Sequence, residues 1–467
     1  MKMKKICLVL TVISLVMSSG CKKYIDVNDD PNRPINVNEP LMLAPIEMLI
    51  SQNINAAGDG NLSIVLQQYI QVIALNQVAP NFGTYLMYNQ DMDGDWNNMY
   101  VRTLNNLSVL KGKAIDNGNF NYSGIAKILT AYCLGTATDA WGDIPYSAAF
   151  GGKSNLTPLY DSQESIYKQI DALLADGIAD IAKKAGVKPG SDDYFYNGDM
   201  DKWTKLAYTL KARYLMHLTK APGHNATTQA QLAITALNNG MTGNDDDLKM
   251  VFVGTPGTEN PWQQNFLPAS TLVLANTFVD GFKTRNDPRL AKMVAPAKET
   301  GLFTGREAGL DEIGSLESYS IPAAVYAAPN AFNYLVNYTE ALFLKAEATF
   351  LISGATAAQP IYMDAVKAHM VKVGVSTVDA NTYLTSRGNL TSTNALKLII
   401  EEKSIANFLN AENYTDWRRT GFPALTKVKN ALSEIPRRVL YPNTEIISNP
   451  QPQQSAKLMD RVWWDKN

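Results

Sequence analysis

The chain has 467 residues, of which 42 are Lys or Arg and 44 are Asp or Glu, so its formal net charge is −2. Nucleic-acid binding needs clustered Lys and Arg residues, and this nearly neutral chain has no such cluster, which argues against a nucleic-acid partner. Its three cysteines, at positions 7, 21 and 133, exclude a disulfide framework, and its length suits one large domain or two or three ordinary ones.

Residues 1–20 have the layout of a bacterial signal peptide. Three of the first five residues are lysine, an apolar run follows, and small residues precede Cys21. Such a segment is removed rather than folded, and its apolar run is shorter than the roughly 20 residues of a membrane-spanning helix. We therefore predict that Cys21 is lipidated; the alternative is a plain signal peptide that leaves Cys21 free.

Residues 21–40 are predicted to be a flexible tether that ends at the lipid anchor. Prolines interrupt this stretch, and proline neither continues a helix nor favours a helical residue before it. The folded domain is then predicted to cover residues 41–467. No later stretch is predicted to span a membrane, and Cys133, inside an apolar helical stretch, is predicted to be buried and structural.

Apolar residues at helical spacing predict a mostly α fold from residue 41 onward. The predicted helices cover residues 41–55, 62–74, 95–115, 122–139, 162–181, 200–218, 227–238, 333–353, 360–373 and 393–411. These helices are predicted to form antiparallel pairs of about 34–45 residues each, a length that is typical of tetratricopeptide-like stacking. We predict a superhelix of about four pairs with an irregular C-terminal region.

Residues 240–330 are predicted to be a long loop-rich insertion, because Gly, Pro, Asn and aromatic residues are frequent there. Only residues 272–284 have a helical pattern. An earlier helix is predicted to begin at an N-cap formed by Asp161, since Glu164 follows three residues later.

Catalytic and metal motifs are not evident in the sequence. The three histidines lack the spacing of a zinc site, and nucleophile elbows and phosphate loops are absent. Asp139 and Asp143 could form a glycosidase pair, which needs a separation of roughly 5–9 Å across a cleft. We interpret them instead as caps of nearby backbone amides, and we expect no cofactor.

Seven short strings, in this order, point to one family. They are 136–150 (TATDAWGDIPYSAAF), 203–214 (WTKLAYTLKARY), 260–262 (NPW), 286–290 (NDPRL), 412–423 (ENYTDWRRTGFP), 435–442 (IPRRVLYP) and 462–465 (VWWD). Behind a lipoprotein signal, this set resembles the SusD/RagB family of Bacteroidetes nutrient-binding outer-membrane lipoproteins. It is most similar to the SusD-like subgroup that ends in a Trp-Trp-Asp segment.

The resemblance implies a function without catalysis. Such a lipoprotein forms a hinged lid on a SusC-like TonB-dependent transporter barrel and delivers captured nutrient, here an oligosaccharide, to it. The alternatives are capture of peptide or another nutrient, an exported glycosidase, and a pure scaffold or barrel lid with no ligand site of its own. The resemblance also implies an anchor on the outer membrane that faces the cell surface, although Lys22 and Lys23 stand where the family often has acidic residues, so a periplasm-facing anchor stays open.

The ligand is predicted to contact aromatic side chains in two loop-rich stretches, 78–98 and 258–334. Loops carry such function, and pockets combine apolar walls with a few polar groups. Trp262 also belongs to a family string and has a structural alternative. The candidate ligand-binding residues are Tyr85, Tyr88, Trp262, Tyr319 and Tyr326.

Overall fold

Helices dominate the protein, as the spacing of its apolar residues predicts. A computed structural model describes residues 37–56, 58–267 and 270–466. The predicted signal peptide, the lipidation site Cys21 and nearly all of the predicted tether lie outside these ranges. From Glu39 onward the chain forms one compact unit.

The α-helices are separated by loops of very different length. In chain order they are α1 (Glu39–Leu49), α2 (Leu62–Tyr69), α3 (Asp93–Trp96), α4 (Asn105–Asp116), α5 (Phe120–Trp141), α6 (Gln163–Ala182), α7 (Met200–His217), α8 (Ala226–Leu237), α9 (Pro261–Asn265), α10 (Asn276–Thr284), α11 (Leu290–Met293), α12 (Ala324–Ala327), α13 (Tyr338–Lys372), α14 (Thr377–Arg387), α15 (Ala395–Ala406), α16 (Glu412–Thr420) and α17 (Asn443–Ser448). A π-helical segment, Asn97–Leu104, joins α3 to α4 as one rod.

The long helices stack in sequence order. Helix α4 packs on α5, α5 on α6, α6 on α7 and α7 on α8, and α13 then packs on α8 and on α15. Each helix buries its apolar face on its neighbours, which is how tetratricopeptide-like repeats form a continuous core. The predicted mostly α superhelix of helix pairs is therefore confirmed, and Cys133 is buried in α5 as predicted.

In the described part of the chain, six short strands form three small antiparallel sheets. They are β1 (Ile73–Leu75), β2 (Leu248–Met250), β3 (Leu272–Leu274), β4 (Val294–Ala295), β5 (Ile321–Pro322) and β6 (Asn333–Val336), paired as β1 with β3, β2 with β6 and β4 with β5. Two of these sheets tie the predicted insertion to the helical stack, because β3 pairs with β1, which follows α2, and β2 pairs with β6, which leads into α13.

Three predicted helices are wrong at one end because a short apolar run fits a strand as well as a helix. In the predicted helix 333–353, the first residues form β6 and the helix begins at Tyr338. Helix α2 ends at Tyr69, Gln71 adopts a left-handed φ of 56°, and the apolar residues that follow form β1. In the same way, the first residues of the predicted helix 272–284 form β3, in register with β1 through Ile73 opposite Leu274.

The N-cap of α6 also differs from the prediction. Ser162 caps the helix, because its hydroxyl accepts a hydrogen bond from Ser165 N at 3.2 Å. The Asp161 carboxylate instead accepts hydrogen bonds from the backbone amides of Tyr146 and Ser147, at 3.0 and 2.7 Å. Asp161 therefore closes the loop before α6 rather than the helix itself.

Among the described residues, helix α13 has the length and the apolar composition that a membrane-spanning helix needs. Gly354 interrupts it with φ 80° and ψ −178°, and Pro360 follows. Each half is shorter than the roughly 20 residues of a spanning helix. The break agrees with the prediction of two separate helices here, although the second begins earlier than residue 360.

Candidate ligand-binding face

The two loop-rich stretches that the sequence singles out meet in the structure. Beyond the β1–β3 pairing, Asn76 Nδ2 donates to Gly314 O at 2.7 Å, and Gly314 N donates back to Asn76 Oδ1 at 3.0 Å. The amide of Ala79 donates to Asp311 Oδ1 at 2.9 Å. We call the surface formed by residues 76–84 and 294–321 the loop face.

Arg306 organises the loop face from inside. Its guanidinium is fully buried and donates to Leu75 O at 2.8 Å, to Leu310 O at 3.0 Å and to Glu312 O. Hydrogen bonds to carbonyl oxygens thus offset the free-energy cost of burying this cation. Since these carbonyls belong to β1 and to the 310–312 turn, one side chain holds both stretches in place.

Arg306 also positions Tyr319. Its Nη1 donates to the Tyr319 hydroxyl at 3.2 Å, and its guanidinium carbon lies 5.5 Å from the centre of the Tyr319 ring. A guanidinium at this distance attracts the aromatic face. The Tyr319 ring is therefore held in one orientation although it is only partly buried.

Tyr319 lines a cavity of about 300 Å³. Its walls are mostly apolar, and the side chains Leu267, Leu316 and Ile321 take part in them. At the rim, Lys298 Nζ lies 2.7 Å from Glu317 Oε1, and both side chains are largely exposed. An apolar hollow with one ring and a few polar groups is the usual form of a small-ligand site, and this volume lies at the lower end of the usual range.

Comparison with known families identifies the chain. The sequence profile of the family SusD-like_2, described as "Starch-binding associating with outer membrane", matches residues 31–442. This chain belongs to the SusD-like family. The resemblance carried by the seven strings is thereby confirmed.

Solved structures share the fold of this SusD-like protein. A SusD/RagB family protein from Bacteroides thetaiotaomicron superposes with a TM-score of 0.80 at 22% identity, covering 92% of this chain and 99% of that one. A chitin-binding SusD homolog from Flavobacterium johnsoniae gives a TM-score of 0.79 at 24% identity with the same coverage. No curated protein sequence matches the chain significantly.

Two of the five predicted ligand-binding residues remain accessible. Tyr319 lines the cavity of the loop face, as described above. Tyr88 is 56% exposed and its backbone amide donates to Asp91 Oδ2 at 2.6 Å, but it does not line that cavity. Ligand contact at both positions stays a prediction.

The other three predicted residues are packed in the core. The Tyr85 hydroxyl accepts a hydrogen bond from Val428 N at 3.2 Å, and the Tyr326 ring packs edge-on against Phe408 at 5.0 Å. Trp262 is 2% exposed, and its ring centre lies 6.4 Å from that of Phe266. Because these rings present no free face, Tyr85, Trp262 and Tyr326 are not part of the site that we describe.

The two candidate glycosidase carboxylates have separate structural roles. Asp143 Oδ1 accepts a hydrogen bond from Gln163 N at 2.8 Å at the start of α6, so the predicted cap is confirmed there. The predicted cap at Asp139 is wrong, because its carboxylate accepts hydrogen bonds from side chains instead of backbone amides. It is buried and accepts hydrogen bonds from the Tyr167 hydroxyl at 2.6 Å and from Trp464 Nε1 at 2.8 Å.

Asp139 also faces His217, 3.3 Å from its Nδ1. Burial raises the pKa of Asp139, but the charges of His217 and Arg418 and the hydrogen bonds with His217 and Tyr167 together outweigh burial and lower that pKa below its usual value. The carboxylate is thus held ionised inside the core. Within the described residues, no group of three His, Cys, Asp or Glu side chains is placed to hold a metal ion.

The sequence did not reveal Arg306 or Lys298 as members of the loop face. Arg306 lies in a Gly-rich stretch between Gly305 and Gly309, and nothing local indicates that its side chain is buried. Gly305 is a weak sequence signal of close packing beside Arg306, because a Cβ at this position would lie 2.5 Å from Asn276 N. Only the folded chain shows this close approach.

Proposed function

We propose that this SusD-like protein is a non-catalytic lipoprotein that captures an oligosaccharide at its loop face and passes it to a SusC-like TonB-dependent transporter. The family's description as starch-binding and the chitin-binding homolog from Flavobacterium johnsoniae support a carbohydrate ligand. The observation that carries the proposal is the partly exposed Tyr319 ring, fixed by buried Arg306 beside an apolar cavity.

The chemistry of the loop face suits a sugar. A pyranose has an apolar C–H face, which packs on an aromatic ring, and hydroxyl groups, which need hydrogen-bond partners. Tyr319 supplies the ring, while Glu317 accepts from and Lys298 donates to hydroxyls at the rim. Because Arg306 holds Tyr319 before ligand arrives, little ordering entropy opposes binding.

The site is tested by titrating the protein with oligosaccharides in a calorimeter. We expect Tyr319→Ala to weaken binding at least tenfold and Tyr319→Phe, which keeps the ring, to bind nearly as the parent does. Tyr194→Ala, which removes an exposed tyrosine elsewhere, is the matched control. Equal binding by the parent and Tyr319→Ala would show that the loop face is not the binding site. Binding of peptides but not of sugars would show that the ligand is a peptide and not an oligosaccharide.

The remaining prediction at Tyr88 is tested in the same titration. A loss of affinity in Tyr88→Ala would extend the ligand contact beyond the cavity, and unchanged affinity would remove Tyr88 from the site. Turnover of the sugar during the titration would contradict the non-catalytic part of the proposal.

Anchoring and partnership are tested separately in cells. We expect Cys21→Ala to release the protein from the outer-membrane fraction, since a lipidated cysteine with several acyl chains gives a durable anchor. We expect the native protein to co-purify with a transporter barrel. Protease added to whole cells then distinguishes a surface-facing anchor from a periplasm-facing one.

A further inference from the structure

A second and larger cleft lies away from the loop face. Its volume is about 930 Å³, and three segments enclose it: the rod of residues 93–105, the loop 145–158 and helix α17 with Asn449. We call it the aromatic cleft. None of its lining residues lines the loop-face cavity, and neither the family match nor the sequence motifs assign it a role.

The floor of the aromatic cleft is a stack of rings. Trp96 and Tyr100 stack with centroids 4.3 Å apart and an angle of 27° between their planes, and Tyr100 stacks on Phe150 at 6.4 Å and 18°. At the rim, Val101 is 62% and Leu156 is 76% exposed. Trp96 and Tyr100 are themselves only 6% and 8% exposed, so a ligand that enters the cleft meets mainly Val101, Leu156 and the partly buried Phe150, with the ring stack beneath them.

The walls above this floor carry polar groups on both sides. Asn97 and Asn105 lie two helical turns apart on the rod, and both residues are exposed. The remaining polar lining residues are Asp93, Asn155, Thr444, Glu445, Ser448 and Asn449. These groups are neutral or acidic, and no Lys, Arg or His is among the described residues that line the cleft.

The cleft is held open by contacts across its walls. Thr444 donates through its backbone N and its hydroxyl to Asp93 Oδ1, at 2.9 and 3.0 Å. Asn449 Nδ2 donates to Glu445 Oε1 at 2.8 Å and to Pro158 O at 2.9 Å. Since α17 is tied to both other walls, the cleft needs no rearrangement to receive a ligand.

We infer that the aromatic cleft is a second glycan site and that it selects uncharged chains. Aromatic and aliphatic surface below and amide, hydroxyl and carboxylate groups above match the C–H faces and hydroxyl donors of a neutral oligosaccharide. Carboxylates without a compensating cation repel acidic sugars, and such repulsion is an effective basis of specificity. The inference rests on the proposed carbohydrate ligand, but it names a different site and a narrower ligand class.

The test is calorimetric titration of the full-length mature protein with maltoheptaose, chitohexaose and, as the acidic probe, hexagalacturonate. Val101→Arg places bulk and positive charge at the mouth of the cleft, and Val109→Arg, at an exposed position on α4 outside the lining, is its matched control. We expect two sites in the parent, one in Val101→Arg, one in Tyr319→Ala and none in the double variant, with Val109→Arg unchanged.

The outcomes separate the two proposals. If the parent binds a neutral glycan but Tyr319→Ala alone removes all binding, the second site is overturned and the proposed function stands. If hexagalacturonate binds as tightly as the neutral chains to Tyr319→Ala, the selectivity is overturned. If no member of the panel binds the parent, both the carbohydrate function and the second site are overturned.

Discussion

His217 Nε2 lies 2.8 Å from Glu412 Oε1, with both side chains buried at the meeting point of α7 and α16. The other ring nitrogen, Nδ1, is 2.8 Å from the Tyr167 hydroxyl and 3.3 Å from Asp139 Oδ2. A doubly protonated imidazole can donate on both sides of this arrangement. The residue therefore acts as a buried cation that joins α7 to α5, α6 and α16.

The first prediction concerns pH. Burial alone lowers the pKa of His217, but Glu412 and Asp139 outweigh it and raise that pKa to about 9. Because the folded pKa exceeds the unfolded value of about 6.5, the stabilisation is complete below that pH and is lost as pH rises toward 9. We expect the free energy of unfolding to fall by on the order of 3 kcal/mol across this interval.

Urea unfolding monitored from pH 5 to pH 9.5 measures this loss. His217→Gln, which cannot titrate, is the control, and its unfolding free energy should change far less between pH 6.5 and 9. Identical pH profiles for the two proteins would show that His217 is not charged in the fold. On the acid side, the lowered pKa values of Asp139 and Glu412 mean that their stabilisation is lost as pH falls below about 4.

The second prediction concerns the contact of α5 with α6. A Cβ at Gly124 would lie 2.9 Å from Gly177 O and 2.7 Å from Ile181 Cγ1. The carbonyl belongs to a helix backbone and cannot move aside, so overpacking should cost about 1–3 kcal/mol. We expect Gly124→Ala to lower the midpoint of thermal unfolding.

Gly112 in the middle of α4 provides the matched control. A Cβ there would have no described neighbour within 4 Å, and alanine is a better helix former than glycine by up to about 1 kcal/mol. Gly112→Ala should therefore leave the unfolding midpoint unchanged or raise it. Destabilisation of equal size in the two variants would contradict a specific close contact at Gly124.

The third prediction concerns the bidentate pair between Arg213 and Glu340, which joins α7 to α13. Arg213 Nε and Nη2 each lie 2.6 Å from one Glu340 oxygen, and both side chains are buried. Removing Glu340 leaves the buried Arg213 only the longer pair with Glu412, 3.7 Å from its Nε. We therefore expect Glu340→Ala to cost about 3 kcal/mol, the lower end of the cost of breaking a buried pair.

The double variant Arg213→Met, Glu340→Leu removes both charges and should cost clearly less than the sum of the single changes. A double-mutant cycle in urea measures the difference. Additive effects of the two single changes would mean that the pair does not act as a unit.

The fourth prediction concerns Arg306. Lysine lacks the planar fork that reaches Leu75 O and Leu310 O together. We expect Arg306→Lys to loosen residues 300–320, which limited proteolysis would detect, and to weaken oligosaccharide binding through Tyr319. The control is Arg102→Lys, at a largely exposed ion pair with Asp59, and it should match the parent in both measurements. Equal cleavage rates in the parent, Arg306→Lys and Arg102→Lys would contradict the organising role of Arg306.

The mostly α class, the stacked helix pairs and the family were predictable from the sequence because they depend on local regularities. Apolar periodicity survives in every long helix, and the seven strings lie in order along the chain. Helix α16 escaped prediction for the opposite reason. Its sequence is rich in polar and charged residues and lacks an apolar stripe, although the charges suggest ion pairing, and Asp416 and Arg419 are indeed buried and pair with each other at 2.7 Å.

The candidate site was only partly predictable. The sequence indicated the two loop-rich stretches and Tyr319, because loop composition and aromatic content are local properties. It could not separate Tyr319 from Tyr85, Trp262 and Tyr326, since burial of a loop side chain depends on which distant segment packs over it. Val428 contacts the hydroxyl of Tyr85 across more than 300 residues of chain.

Tertiary structure alone decided the loop face and the aromatic cleft. Arg306 meets β1 across 231 residues, and Thr444 meets Asp93 across 351. Such contacts leave no periodic trace in the sequence, because each depends on a single pair of groups rather than on a repeated pattern. The sequence by itself thus determined the helical stack, and long-range hydrogen bonds determined where the loop face and the aromatic cleft lie on it.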